Sequence, residues 1–281
     1  MFVKPLCAFG RLVGKPPGYE RIVRAIYPPE ECTGMPESLV TLRGEPLFLT
    51  NPQTTLGWHV FFFGTYEHEL RVALRSLLRP GFVSVDVGAN VGWHTLLMAQ
   101  LVGDGGRVLA FEPNQSVRER LQYNVSINRF RQVEVLGYAL SDRAGVLQFH
   151  GPPVEHPTCG DGFVLAADDV TSPFKTQVEA AAFDALIDRL DLKRLDLIKM
   201  DIEGFEWAAL RGCEKAIDRF RPHVVFEYNS AYISRSGGSR EVLQDFFRRH
   251  RYRLFAITRL GLESAGKIWP DGVNIWAAPE P

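Results

Sequence analysis

From Phe82 onward, short apolar runs alternate with stretches whose apolar positions recur every three or four residues. That alternation predicts strands joined by helical crossovers, hence a mostly parallel α/β sheet. Seven strands are expected, at Phe82–Val87, Arg107–Phe111, Val133–Leu136, Leu195–Met200, His223–Glu227, Arg253–Thr258 and Val273–Ala277. The intervening patterns place helices at Trp93–Leu101, Gln115–Asn128, Glu206–Phe220 and Arg240–His250. Leu260–Gly272 contains glycine and no helical period, so the last two strands are expected to close as an antiparallel hairpin.

Two regions break the alternation. Residues 1–80 are punctuated by prolines, which remove an amide donor and forbid helix interiors, and read as an irregular N-terminal extension. Its regular pieces are expected at Leu47–Leu49 and in a helix from Glu67 to Leu78, ended by Pro80-Gly81. Residues 81–281 then form the second unit, the sheet domain. Inside it, a strand at Val146–His150 and a Pro-, Gly- and Asp-rich segment from Gly151 to Pro173 predict an inserted hairpin with a mobile loop, the kind of segment that serves as a lid.

Composition narrows the classes without naming one. Of 281 residues, 46% are hydrophobic and 23% charged, which excludes disordered and fibrous chains. The formal net charge of -1 gives no field to attract phosphate backbones, so no nucleic-acid partner is expected. The basic-aromatic run Phe246–Arg253 reads accordingly as a solvated helix end. No run approaches the roughly 20 apolar residues of a membrane span, and Arg11 and Lys15 interrupt any leader-like segment. Four unpaired-looking cysteines suit a reducing compartment, and a cytoplasmic location is expected.

Chemistry concentrates first in Asp86-Val87-Gly88-Ala89-Asn90-Val91-Gly92, which leaves a strand and opens a helix, where backbone amides can hold an anionic or carboxylate-bearing ligand. A plain β–α turn needs the same glycines for geometry alone. Glu112 ends the next strand, near the spacing at which a carboxylate accepts the hydroxyl protons of a ribose. The dinucleotide pattern G-x-G-x-x-G fails here, with Asn90 and Trp93 at its second and third glycines.

These features resemble the S-adenosylmethionine-dependent methyltransferase fold. Together with Ala110-Phe111-Glu112-Pro113, Ala139-Leu140-Ser141-Asp142 and Ile198-Lys199-Met200-Asp201-Ile202-Glu203-Gly204-Phe205-Glu206, and with Phe63–Glu67 upstream, they resemble the FkbM-type methyltransferase family from about residue 47 to the end. The resemblance implies a Rossmann-like, seven-stranded sheet that binds S-adenosyl-L-methionine. It further implies O-methylation of a hydroxyl or carboxyl group on a small natural product or sugar. Carried over, Asp86, Gly88, Asn90 and Gly92 would surround the methionine portion, Glu112 the ribose, and Tyr138, Ala139 and Asp142 the adenine.

A second acidic block ends the strand Leu195–Met200. Strand alternation puts Asp201 and Glu203 on one face at the sheet's C-terminal edge, where open α/β sheets bind ligands, although acidic residues there also cap helices. Methyl transfer is an in-line displacement that asks the protein to align an acceptor oxygen and take its proton. Asp201 is expected nearest the transferring methyl, ahead of Glu203 and of the rival base His94. Asp201, Glu227 and Asn229 form an oxygen set that could alternatively hold Mg2+, and His150, His156, Cys159 and Asp161 a less well-spaced zinc set. Competing readings are N- or C-methylation on the same scaffold and a non-catalytic nucleoside-binding protein; three intact acidic blocks argue against the latter. The sequence is silent on oligomeric state.

Overall fold

The large sheet takes eight strands, in chain order β1 (Val83–Val87), β2 (Arg107–Phe111), β3 (Val133–Leu136), β4 (Leu197–Met200), β5 (His223–Tyr228), β6 (Tyr252–Thr258), β7 (Gly261–Ser264) and β8 (Val273–Pro279). Across the sheet they lie β7-β6-β8-β5-β4-β1-β2-β3. The five from β5 to β3 are mutually parallel, and β8 runs antiparallel between β5 and β6. All four residues of β4 are buried, because helices cover both faces and leave no solvent side to alternate against. This computed structural model describes residues 3–13, 18–28, 32, 35–41, 44–166, 171–266 and 269–281.

The seven expected strands are present, and β7 is an eighth. Its four residues are all exposed and pair with β6 only, so they carry no apolar alternation from which a strand could be read. The expected helix Glu206–Phe220 is two helices, Glu206–Arg211 and Glu214–Phe220. Gly212 separates them at a point where a Cβ would stand 1.9 Å from the Ser141 carbonyl oxygen, so the chain passes too closely for any side chain.

The N-terminal region is more regular than its prolines suggest. Beyond the helix His68–Leu77 and the strand Phe48–Thr50, helices occur at Val3–Val13, Tyr19–Ile26 and Thr55–Phe63, and Ser38–Val40 pairs antiparallel with Phe48–Thr50. Most of the prolines fall between these elements. Thr55–Phe63 starts where the Thr54 hydroxyl accepts from Gly57 N, and it buries Trp58, Phe62 and Phe63 against Tyr19, Val23, Cys7 and Cys32.

The insertion forms a second sheet from Ala139–Leu140, Gly145–His150, Phe163–Val164 and Lys175–Ala181. The expected hairpin is its antiparallel pair Gly145–His150 with Lys175–Ala181. The connecting loop is tied down at its start: Asn114 Nδ2 donates to Pro152 O at 2.8 Å and Val154 N to Ser116 Oγ at 3.1 Å. Residues 167–170 of the expected lid lie outside the described residues. Among the described residues, no helix is long and apolar enough to cross a membrane. Phe246 and Phe247 of the basic-aromatic run are buried, while Arg248 and Arg249 pair with Asp245 at the surface.

Candidate active site

The loop after β1 turns on three residues with left-handed backbones, Gly88 (φ 73), Asn90 (φ 49) and Gly92 (φ 98). Gly88 N and Ala89 N both donate to Phe111 O, which fastens the loop to the end of β2. The glycines answer a packing demand of the protein itself. A Cβ on Gly88 would lie 1.9 Å from the Asp201 carbonyl oxygen, and one on Gly92 would lie 2.7 Å from the Leu121 side chain. Glycine at 88 therefore lets the loop of β1 press directly on the acidic turn after β4.

Glu112 is buried, and each of its carboxylate oxygens accepts one backbone amide, from Asn90 N and Asn114 N, both at 2.9 Å. No ion pair neutralises it among the described residues, and burial pushes its carboxyl up to about 7 against the opposing pull of those two amides. Such a carboxylate at a cavity wall needs further donors on its remaining lone pairs, and the paired hydroxyls of a ribose supply two. The residues present thus fit a ribose on Glu112, beside the Gly88–Asn90 loop.

Beneath this loop lies a residue that sequence reasoning passed over. Lys199 on β4 is 2% exposed and stands in register with Asp86 on β1. Its Nζ lies 3.2 Å from Asp86 Oδ1, 3.6 Å from Asp201 Oδ2 and 3.3 Å from the Gly88 carbonyl oxygen. Burial alone would lower the Lys199 ammonium, but Asp86, Asp201 and Glu67 outweigh it and raise it. Asp86, also the acceptor for Thr95 Oγ1 at 2.7 Å, is fully buried and stands outside the cavity wall. One readable signal existed: a lone lysine in an otherwise apolar buried strand, two residues before an acid.

Asp201, Glu203 and Glu227 line the same cavity, and each offers an oxygen within 4.8 Å of the others. The strand ends at Met200, so it is the turn through Glu203 (φ 53) and Gly204 (φ 98), not strand alternation, that brings Glu203 beside Asp201. Asp201 is pushed up by burial, pulled back by Lys199 and pushed up again by Glu67. Burial and neighbouring carboxylates raise Glu203 to about 7 and Glu227 to about 8. Asn229, the third member of the expected oxygen set, follows Tyr228 at the end of β5 and stands outside the cavity wall. Its Oδ1 caps the helix Ser230–Ile233 by accepting from Ala231 N. The zinc set from the insertion is likewise not brought together among the described residues.

His94 lines the cavity from the first turn of Trp93–Val102, and its Nε2 lies 2.7 Å from Glu67 Oε2. Trp93 beside it donates from Nε1 to Tyr66 O at 3.0 Å, so the N-terminal region packs onto the start of this helix. Gly92, Tyr138, Ala139 and Asp142 stand outside the cavity wall. Asp142 pairs with Arg211 at 3.0 Å, and the Tyr138 ring lies beneath the Arg189 guanidinium.

Residues 86–254, three-fifths of the chain, match the Methyltransferase FkbM domain. The chain belongs to the FkbM methyltransferase family. Relatives include the AMB antimetabolite synthetase AmbE of Pseudomonas aeruginosa, 29% identical over 63% of this chain and 10% of its own length. The hexuronic acid methyltransferase AglP of Haloferax volcanii is 28% identical over 47% of this chain and 50% of its own. The 2-O-methyltransferase NoeI of Sinorhizobium fredii is 28% identical over 57% of this chain and 68% of its own. This chain therefore spans half or less of the first two relatives. The family's match begins at Asp86 and so contains the loop, Glu112 and the acidic turn, while Tyr66 and Glu67 lie upstream of it.

Proposed function

We propose that the chain is an S-adenosylmethionine-dependent O-methyltransferase acting on a hydroxyl or carboxyl group of a small natural product or sugar. The observation that carries the reading is one cavity whose wall holds Gly88, Asn90 and Glu112 together with Asp201, Glu203 and Glu227. A family relative named a hexuronic acid methyltransferase and another named a 2-O-methyltransferase support a sugar-like acceptor.

Bound S-adenosylmethionine supplies an electrophilic methyl group carried on a sulfonium. The chain's part is to hold and orient: Glu112 takes the ribose hydroxyls and the Gly88–Asn90 loop the methionine portion. Asp201 accepts the proton of the acceptor oxygen, its carboxyl raised by burial and so more basic than an exposed aspartate. Lys199 holds the Asp201 carboxylate in place and balances its negative charge until the proton arrives. Glu203 and Glu227 hold neighbouring donor groups of the acceptor, and the start of the insertion loop, through Cys159–Gly162, walls the site from water.

The test is transfer of a labelled methyl group from S-adenosylmethionine to a panel of methyl glycosides, uronic acids and hydroxy acids, with and without added Mg2+. Label in an ether or ester supports the reading. Label in an amine or on carbon, with none on oxygen, transfers it to the N- or C-methylation alternative.

A further inference from the structure

Glu67 comes from the N-terminal region yet opens onto the cavity beside Gly88 and Asp201. Its backbone sits at φ 48 and ψ 55, a left-handed conformation that non-glycine residues adopt only when their surroundings impose it, and often at functional sites. It occupies the N-cap position of His68–Leu77, but its side chain makes no capping hydrogen bond to that helix. The carboxylate reaches instead to His94, 27 residues on, and His94 is its one side-chain partner among the described residues. Oε2 is thereby engaged and Oε1 is not, and the side chain keeps 24% of its surface accessible.

The state of His94 follows from its burial. The residue is 6% exposed, and its Nδ1 reaches neither solvent nor a hydrogen-bond partner. A proton on Nδ1 would be a buried, unsatisfied donor, whereas a bare lone pair there costs less. The single ring proton therefore belongs on Nε2, where it donates to Glu67 Oε2. Nδ1 is then closed to the cavity, so His94 is placed to orient Glu67 more than to take a proton itself.

We propose that Glu67 is an acceptor-binding residue of the active site, taking a hydroxyl or ammonium donor of the methyl acceptor on Oε1, and that His94 is the positioning residue that fixes it. The proposal rests on the methyltransferase reading of the cavity. It makes the acceptor site a joint product of the N-terminal region and the sheet edge, with Glu67 and Asp201 holding the acceptor from opposite chain segments.

The experiment uses the full chain in two arms. Nitrogen-15 spectra of histidine-labelled protein are expected to show His94 with a bare Nδ1 and a protonated Nε2, and Glu67→Ala to abolish that signature; a protonated Nδ1 in the wild type overturns the proposal. Calorimetry with S-adenosylhomocysteine is expected to place Glu67→Gln within about twofold of wild type, while KM for the glycoside or uronic acid methylated by the wild type rises about tenfold or more. Equal losses in both, or an unchanged KM, overturn it. Glu67→Asp, one methylene shorter, gives the same comparison should Glu67→Gln fold poorly. A wild-type chain that ignores S-adenosylhomocysteine refutes the methyltransferase reading instead, and the spectra still report on the Glu67–His94 pair.

Discussion

Lys199 Nζ sits 3.2 Å from Asp86 Oδ1 and 3.6 Å from Asp201 Oδ2, so one buried ammonium serves the base of the glycine loop and the acidic turn after β4 at once. Removing one partner of a buried ion pair typically costs about 3–5 kcal/mol, because the remaining charge stays buried without compensation. Lys199→Met is expected to lower the melting temperature sharply. Adding Asp86→Asn, which keeps an acceptor for Thr95, is expected to recover part of that loss. A Lys199→Met protein as stable as wild type would show that the lysine is not balancing these carboxylates.

Asp201→Asn keeps the size and much of the hydrogen bonding of the side chain but removes a base. Turnover is expected to fall by about 100-fold or more, on the scale general-base catalysis contributes, with the affinity for S-adenosylhomocysteine little changed. Steady-state rates beside calorimetry check it. Near-wild-type turnover would remove Asp201 from the proton-transfer role and leave the protein contributing alignment alone.

Stability should depend on pH through Glu203 and Glu227. Their folded-state values, about 7 and about 8, lie above the ordinary glutamate value of 4.5, so the folded chain binds more protons than the unfolded chain between those limits. Stability therefore falls as pH rises from about 4.5 to 8, and the favourable contribution is complete only below that window. Melting temperatures across this range should decline, and Glu227→Gln should flatten the decline and stabilise the protein at pH 8. A wild-type profile rising through the window contradicts the assignment.

The insertion loop closes one wall of the cavity through Val154, Pro157 and Cys159–Gly162. Hydrogen exchange in residues 154–162 is expected to slow when S-adenosylhomocysteine binds. Equal protection with and without it would mean the wall is already fixed and does not act as a lid.

How much of this was legible follows from where burial leaves a pattern. The parallel strands were readable because burial on both faces writes continuous apolar runs such as residues 108–111 and 224–226. β7 was not, since an exposed edge strand has no such run. Thr55–Phe63 hid for the opposite reason: it is apolar nearly all round, so no helical period stands out. In the site, the glycine loop and Glu112 showed themselves by spacing. Lys199 did not, because its place comes from register with Asp86; Glu67 was marked only as part of the Phe63–Glu67 element, since its contact with His94 is not local in sequence.

The central claim is that the Gly88–Asn90 loop and Glu112 hold S-adenosylmethionine. Calorimetry of the wild type against S-adenosylmethionine, S-adenosylhomocysteine and NAD, repeated on Glu112→Ala, tests it most directly. Loss of hydrogen bonds to a buried carboxylate is worth about 1–3 kcal/mol. The expected result is binding of both sulfur nucleosides, weakened by that amount in Glu112→Ala, with no comparable affinity for NAD. Tight NAD binding with none for the sulfur nucleosides, or a Glu112→Ala protein that binds them as the wild type does, would contradict the account.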